Sequence, residues 1–280
     1  MVLTKLLYFG RQVTHLALRE ISERKRLELE MQSAREEAVN ANKVKSEFLA
    51  KMSHEIRTPL HGILSYAQMG ESKLEQLSKE KIERYFSNIH KSGERLMALL
   101  DDLRDLSKVE SGMLSYDFKY QNINTTIQNC IEQQRPLLTE KQIELDCEGH
   151  DLMAYFDKAR ITQVVSNLLV NAIKHTPYNG KIQIKAKQLE KGVIQCCIHD
   201  NGIGIDKDEL ELIFETYKQG KKHTGNNEGS GLGLAISREI IEAHQGSIWA
   251  GSRVSEHETS LSGAMFCFTL PSQKPVDGKI

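Results

Sequence analysis

The run Phe48-Leu-Ala-Lys-Met-Ser-His54-Glu55-Ile-Arg57-Thr58-Pro59-Leu60 sets an imidazole beside a carboxylate, with a hydroxyl four residues on. Neutral imidazole attacks through one ring nitrogen when the other holds the proton, so an adjacent acid that accepts the second N–H turns histidine into a nucleophile. Glu55 is placed to be that acid. On a helix Thr58 shares a face with His54, where its hydroxyl could hold a water or a phosphoryl oxygen. Pro59 removes one helical hydrogen bond and is expected to bend the helix just past this turn. His61 lies nearly on the same face but is flanked by Leu60 and Gly62 rather than by an acid, so His54 is the better nucleophile.

Ser-His54-Glu55-Ile-Arg57-Thr58-Pro59-Leu60 resembles the phosphoacceptor box of the sensor histidine kinases of two-component signalling. Four further runs resemble that family's boxes, in its order. Asp157-Lys-Ala-Arg160-Ile-Thr-Gln163 through Asn167, Asn171, Lys174, His175 and Thr176 is similar to the N box, and His199-Asp200-Asn201-Gly202-Ile-Gly204 to the first glycine box. Ile213-Phe214-Glu215-Thr-Tyr217-Lys-Gln219 is similar to the F box, with Tyr217 where Phe is usual, and Gly229-Ser-Gly231-Leu232-Gly233 to the second glycine box. The resemblance covers about residues 46 to 271. It implies that ATP with Mg²⁺ is the phosphoryl source, that His54 is the acceptor with Glu55 and Thr58 beside it, and that the phosphoryl group then passes to an aspartate of a response-regulator receiver domain.

For the nucleotide, Asn167 and Asn171 share a helical face, as do Asn171 and Lys174. A carboxamide oxygen there can ligate Mg²⁺ while an ammonium meets phosphate, and the resemblance makes Asn171 the metal ligand. Asp200 ends an apolar strand, where an unpaired carboxylate is costly unless something donates to it. The adenine amino group is the donor that the resemblance implies, with Gly202 and Gly204 letting the backbone turn tightly against the base. Gly229, Gly231 and Gly233 precede a helix whose bare amides suit a triphosphate. The resemblance adds His175, Phe214, Leu232 and Thr269 to the ATP-binding residues. The polar run 218–231 reads as a lid over the phosphates, with Lys221 or Lys222 as candidate phosphate contacts. At position 167 the hydrolysing relatives carry a glutamate that activates water; Asn167 is not basic, so transfer to a protein nucleophile is expected over hydrolysis.

These groups need elements to hold them. Residues 1–20 alternate apolar and polar and read as a strand, the tail of a PAS sensory domain, which implies a fragment of a longer sensor. A signalling helix over 21–45 follows, with apolar residues at Leu27, Met31, Ala34, Ala38 and Ala41 in steps of four and three, resumed at Phe48 and Met52. A second helix is predicted over 79–112. Together they make residues 46–115 an antiparallel helical hairpin, whose apolar stripe is buried by a second copy in a dimeric four-helix bundle. His54, two residues past the seam position Met52, should face outward. Over 120–272 the pattern becomes α/β, with helices at 124–141, 158–175 and 231–244 and strands at 143–147, 181–189, 193–199, 247–251 and 264–270. This is a two-layer domain with a mixed sheet, and the resemblance implies the ATP-binding fold shared with gyrase and the MutL proteins. Residues 273–280 read as a flexible tail.

Bulk composition restricts the partners. A net charge of −1 over 280 residues offers no basic field for nucleic acid. No segment approaches the roughly 20 apolar residues that cross a bilayer, which fits a cytoplasmic location. Whether the parent is membrane-anchored stays open. The five cysteines have no metal-like spacing and read as reduced core residues. Two other readings stand beside the kinase: a non-catalytic dimeric scaffold whose shape nucleotide sets, against which His54-Glu55 argues, and an ATP-hydrolysing clamp, against which Asn167 argues.

Overall fold

The computed structural model describes residues 12–73, 77–111, 113–149, 151–189, 192–215, 231–253 and 263–274. The expected lid, with Gly229, Lys221 and Lys222, and the first half of the expected strand over 1–20 lie outside them. The chain divides into two units, Met1–Arg57 and Thr58–Ile280.

The first unit is helical wherever it is described. Helix α1 begins at Gln12 and continues to Lys73 with Pro59 inside it, so the second half of the expected strand is helix instead. Residues 12–58 contain no Gly or Pro to stop a helix once begun, and propagation is cheaper than a new start. Pairs such as Arg24 with Glu28 and Lys43 with Glu47, each one turn apart, support this solvent-facing rod by a few tenths of a kcal/mol apiece. Leu27 and Met31 stand exposed on it, whereas Phe48 and Met52 are buried.

In the second unit helix α2 (Lys79–Glu110) follows. Then come β1 (Phe118–Asn122), α3 (Ile123–Glu140), β2 (Glu144–Glu148), β3 (Met153–Asp157), α4 (Lys158–His175), β4 (Lys181–Leu189), β5 (Val193–Asp200), α5 (Gly233–Ala243), β6 (Ile248–Arg253) and β7 (Gly263–Pro271). Five strands form one mixed sheet in the order β2-β4-β5-β7-β6, in which β2 and β4 are parallel and the other pairs antiparallel. Strands β1 and β3, which periodicity did not reveal, pair antiparallel as a separate two-stranded sheet. They are short; Tyr120 is exposed and Tyr155 half-buried, which blurs the alternation that marks a half-buried strand.

Helix α4 is the central beam. Ile161, Val164, Val165, Leu168, Leu169 and Ala172 recur at helical spacing and are all buried, together with Ile182, Ile184, Ile194 and Ile198 of the sheet. Each such side chain contributes about 2 kcal/mol of burial. Asp157 caps the start of α4, accepting from the Arg160 N–H at 3.1 Å. At the other end the Lys141 ammonium donates to the carbonyls of Ile173, Lys174 and Thr176, satisfying orphan acceptors of the last turn.

The expectation that all five cysteines are reduced is overturned as well. Cys197 and Cys267 are bonded to each other, with Cα atoms 4.1 Å apart, while Cys130, Cys147 and Cys196 are free. The two sit directly opposite in the β5–β7 register, a proximity that 70 residues of intervening sequence conceal. Burial pushes the Cys196 thiol up to about 12 and that of Cys130 to about 11, so both remain protonated.

Candidate functional site

The His54 turn is as the periodicity requires. His54 and Thr58 are exposed, Glu55 is half-buried, and all three lie in α1. Partial burial pulls the Lys51 ammonium down, and the charge of Glu55, one turn on, opposes that shift. His61, seven residues past His54 in the same helix, is exposed as well.

Most of the described residues expected to hold nucleotide lie where α4, α5 and the ends of β5 and β7 meet. Asp200 closes β5 and is almost fully buried. One carboxylate oxygen, Oδ1, accepts from the backbone N–H of Gly202 at 2.8 Å and of Ala264 at 3.3 Å. Burial raises its affinity for a proton and the two amides oppose that rise. Both amides engage Oδ1, and among the described residues no hydrogen bond to the second oxygen accompanies them.

The glycines around it are there for space. A Cβ on Gly202 would lie 2.4 Å from the His175 carbonyl oxygen, which fixes the end of α4 against the first glycine box. Gly204 takes φ +71 and Ile205 N–H donates to Ser252 Oγ, so the turn is anchored on β6. Gly263, which sequence reasoning missed, stands so close that a Cβ would lie 2.1 Å from the Asp200 carbonyl oxygen. Its clue was a glycine opening an apolar strand.

On α4, Asn167 and Asn171 face the start of α5. Asn167 Nδ2 donates to Ser237 Oγ at 3.0 Å, and Asn171 Nδ2 reaches Asn167 Oδ1 at 3.5 Å, long for such a bond. That contact turns the Asn171 carboxamide oxygen the other way, where a hard cation could take it, so the residues present fit Mg²⁺. Lys174 is exposed and His175 half-buried at the end of the same helix. Gly231, at φ +71, and Leu232, fully buried, lead into Gly233 and α5. A Cβ on Gly233 would lie 2.3 Å from Asn167 Oδ1, so the N box and the second glycine box interlock.

Two further expected residues engage other partners. Phe214 is buried with its ring 6.2 Å from that of Phe266 and the Arg238 guanidinium 4.6 Å above it, which makes it a plug under α5. Thr269 pairs with Gln195, five residues along β5 from Asp200, and its hydroxyl accepts from the Ser247 N–H. It secures the entry to β6; the strand direction carries it away from Asp200.

Sequence reasoning also missed a polar junction between α2 and α4. Asp105 Oδ2, on a buried side chain, accepts from Gln163 Nε2 at 2.8 Å and from Arg160 Nη1 at 3.2 Å. An isolated aspartate late in α2 gave no signal of it.

Residues 44–112 match the family model described as His Kinase A (phospho-acceptor) domain. Residues 156–274 match that of the histidine kinase-, DNA gyrase B- and HSP90-like ATPases. Autoinducer 2 sensor kinase/phosphatase LuxQ of Vibrio vulnificus is 36% identical over 258 residues, covering 86% of this chain and 28% of LuxQ. Cell-division control histidine kinase PdhS of Brucella suis is 33% identical over 242 residues, 81% of this chain and 23% of PdhS. The chain therefore spans about a quarter of the length of these curated relatives. Among solved structures, histidine kinase ThkA in complex with response regulator protein TrrA superposes with a TM-score of 0.61 at 25% identity, over 81% of this chain and 61% of that one. Full-length ShkA in complex with AMPPNP gives 0.59 at 26% identity, over 80% of this chain and 45% of that one. Among the described residues no helix is long and apolar enough to cross a membrane.

Proposed function

Because the chain belongs to the sensor histidine kinases, with their phosphoacceptor and ATP-binding domains, we propose that it phosphorylates its own His54 from MgATP and passes the phosphoryl group to an aspartate of a receiver domain. One ring nitrogen of His54 bonds to the γ-phosphorus as the bond to the β–γ bridging oxygen breaks, and ADP leaves with the electron pair. Glu55 holds the proton of the other ring nitrogen and steadies the imidazolium character that develops. Asp200 accepts from the adenine amino group through its second oxygen, and Gly202 and Gly263 let the backbone close against His175 and Asp200 around it. Asn171 supplies a carboxamide oxygen to Mg²⁺, which when bound neutralises phosphate oxygens. The amides opening α5 are suited to phosphate.

The observation that carries this reading is the frame around Asp200, because a buried carboxylate with one oxygen held by two amides is suited to accept from a donor through the other. Asn167 is non-basic and engaged by Ser237 and Asn171, which supports transfer over hydrolysis. Exposed Leu27, Met31, Leu64, Phe86 and Leu100 support self-association through the helices. The similarity to LuxQ, a sensor kinase/phosphatase, and to ThkA in complex with response regulator TrrA supports a response-regulator partner and a second, dephosphorylating activity, for which Thr58 is our candidate.

The test is incubation with Mg²⁺ and γ-labelled ATP. Wild type acquires acid-labile, base-stable label and His54→Gln does not. Equal labelling of the two would overturn His54 as acceptor and point to His61.

A further inference from the structure

We propose that Ser237 is a positioning residue for the metal, acting through Asn167 on Asn171 by setting the direction of a chain of hydrogen bonds. The inference rests on the reading of Asn171 as the Mg²⁺ ligand. A carboxamide can present either oxygen or nitrogen to a cation, and only the oxygen binds one. Something must therefore decide which end of Asn171 faces outward. Nothing charged need do so, because a hydroxyl with its proton already committed has the same effect.

Ser237 is buried on the first turns of α5, and its Oγ donates to the Gly233 carbonyl at 2.8 Å. A carbonyl only accepts, so the single hydroxyl proton is spent there. Toward Asn167, 3.0 Å away, Ser237 can then only accept, and Asn167 must present Nδ2. Its Oδ1 consequently faces Asn171, which answers with Nδ2 at 3.5 Å. Asn171 Oδ1 is thereby turned away from Asn167. Reversing Asn167 would set its oxygen against the lone pairs of Ser237, so the chain has one favourable polarity. The contact between Asn167 Oδ1 and the bare Cα of Gly233, where a Cβ would come within 2.3 Å, holds the intermediate carboxamide from the side.

The residue is absent from the glycine-box motif that marks the phosphate site, and by itself it is one more serine making a bond one turn back in a helix. Its use appears only with the second bond, across from α5 to α4. Outer partners of this kind typically change metal affinity by about 10–100-fold when removed.

The test is calorimetric titration of ADP into the whole chain, in chelator and across a Mg²⁺ series, for wild type, Ser237→Ala, Ser237→Thr and Asn171→Ala. We expect Ser237→Ala to raise the Mg²⁺ concentration that half-saturates the binding enhancement by on the order of tenfold. Its affinity for metal-free ADP should stay at the wild-type value, and Ser237→Thr, which keeps the hydroxyl, should bring the Mg²⁺ response back. An unchanged Mg²⁺ response in Ser237→Ala overturns the proposal. So does a parallel loss of metal-free and metal-dependent binding that threonine does not repair, because that is the signature of a packing role. Asn171→Ala separates the two levels: if it leaves the Mg²⁺ response intact, the metal-ligand reading itself fails. If it abolishes the response while Ser237→Ala does not alter it, only the role of Ser237 fails.

Discussion

The backbone N–H of Asp157 donates to His244 Nε2 at 3.0 Å, joining the end of β3 to the end of α5 across 87 residues. Because Nε2 accepts, the ring proton sits on Nδ1 and donates to the Ile240 carbonyl at 2.6 Å, so the fold selects one neutral tautomer. Burial lowers the pKa of His244 below its ordinary 6.5, opposed by the Ile240 carbonyl and the charge of Asp157. A depressed histidine contributes stability that is present above the unfolded value and lost as pH falls through it toward the folded value. We expect the thermal midpoint to fall on acidification from pH 7.5 to 5 and His244→Gln to flatten that slope. A slope unchanged in the variant would remove His244 as its source.

Asp200→Asn should separate stability from function. The raised pKa means that the charged carboxylate is a cost of the empty fold at neutral pH. Asparagine keeps an oxygen for the Gly202 and Ala264 amides but offers an NH₂ where adenine also donates. Differential scanning calorimetry should show a melting temperature no lower than wild type, while ADP affinity falls by about 1.5–3 kcal/mol. Normal ADP affinity would refute the base-reading role.

The junction of α2 with α4 is predicted to be coupled. Asp105→Ala leaves the Arg160 guanidinium and the Gln163 amide short of an acceptor in a mostly buried place, which should cost about 1–3 kcal/mol. In a double-mutant cycle with Arg160→Met the two losses should be less than additive, by at least ~0.5 kcal/mol. Additive losses in urea unfolding would show that the ion pair carries no energy of its own.

Glu55 and Thr58 should divide two activities. Glu55→Ala leaves His54 without its orienting acid, so labelling from γ-labelled ATP should collapse while dephosphorylation of a phosphorylated receiver persists. Thr58→Ala removes only a hydroxyl able to align water, so labelling should stay within about a few-fold of wild type while dephosphorylation slows. If Thr58→Ala loses both activities or neither, this division is wrong.

How much of this was readable in the chain follows from the range of the forces involved. Helix α4 was legible to its end residues, Lys158 and His175, because its apolar spacing and the capping Asp157 are local signals. Strands β4 and β5 were legible for the same reason. The Cys197–Cys267 bond, the seat of Asp105 and the bond from Asn167 to Ser237 were not, since each depends on which strand or helix comes alongside another. Thr269, five residues along the β5 register from Asp200, shows the limit of reading a site from motif and strand alone. A motif residue can sit on the right strand yet at the wrong end of it, because a strand moves about 3.3 Å with every residue. Over residues 12–20 the expected strand failed because alternation alone was weighed against an uninterrupted run of helix-compatible residues.

The near-contact of Asn167 with Gly233 has a consequence for how such a protein can change over generations. The two positions are 66 residues apart in sequence, yet the oxygen of one occupies the room that any side chain at the other would need. Neither can be enlarged first without loss, so substitutions at 233 are open only after 167 has shrunk, and a shrunken 167 gives up its hold on Asn171. Descendants are thereby expected to keep both residues or to exchange both, and a lineage bearing a single altered member should carry a repair nearby in α4 or α5.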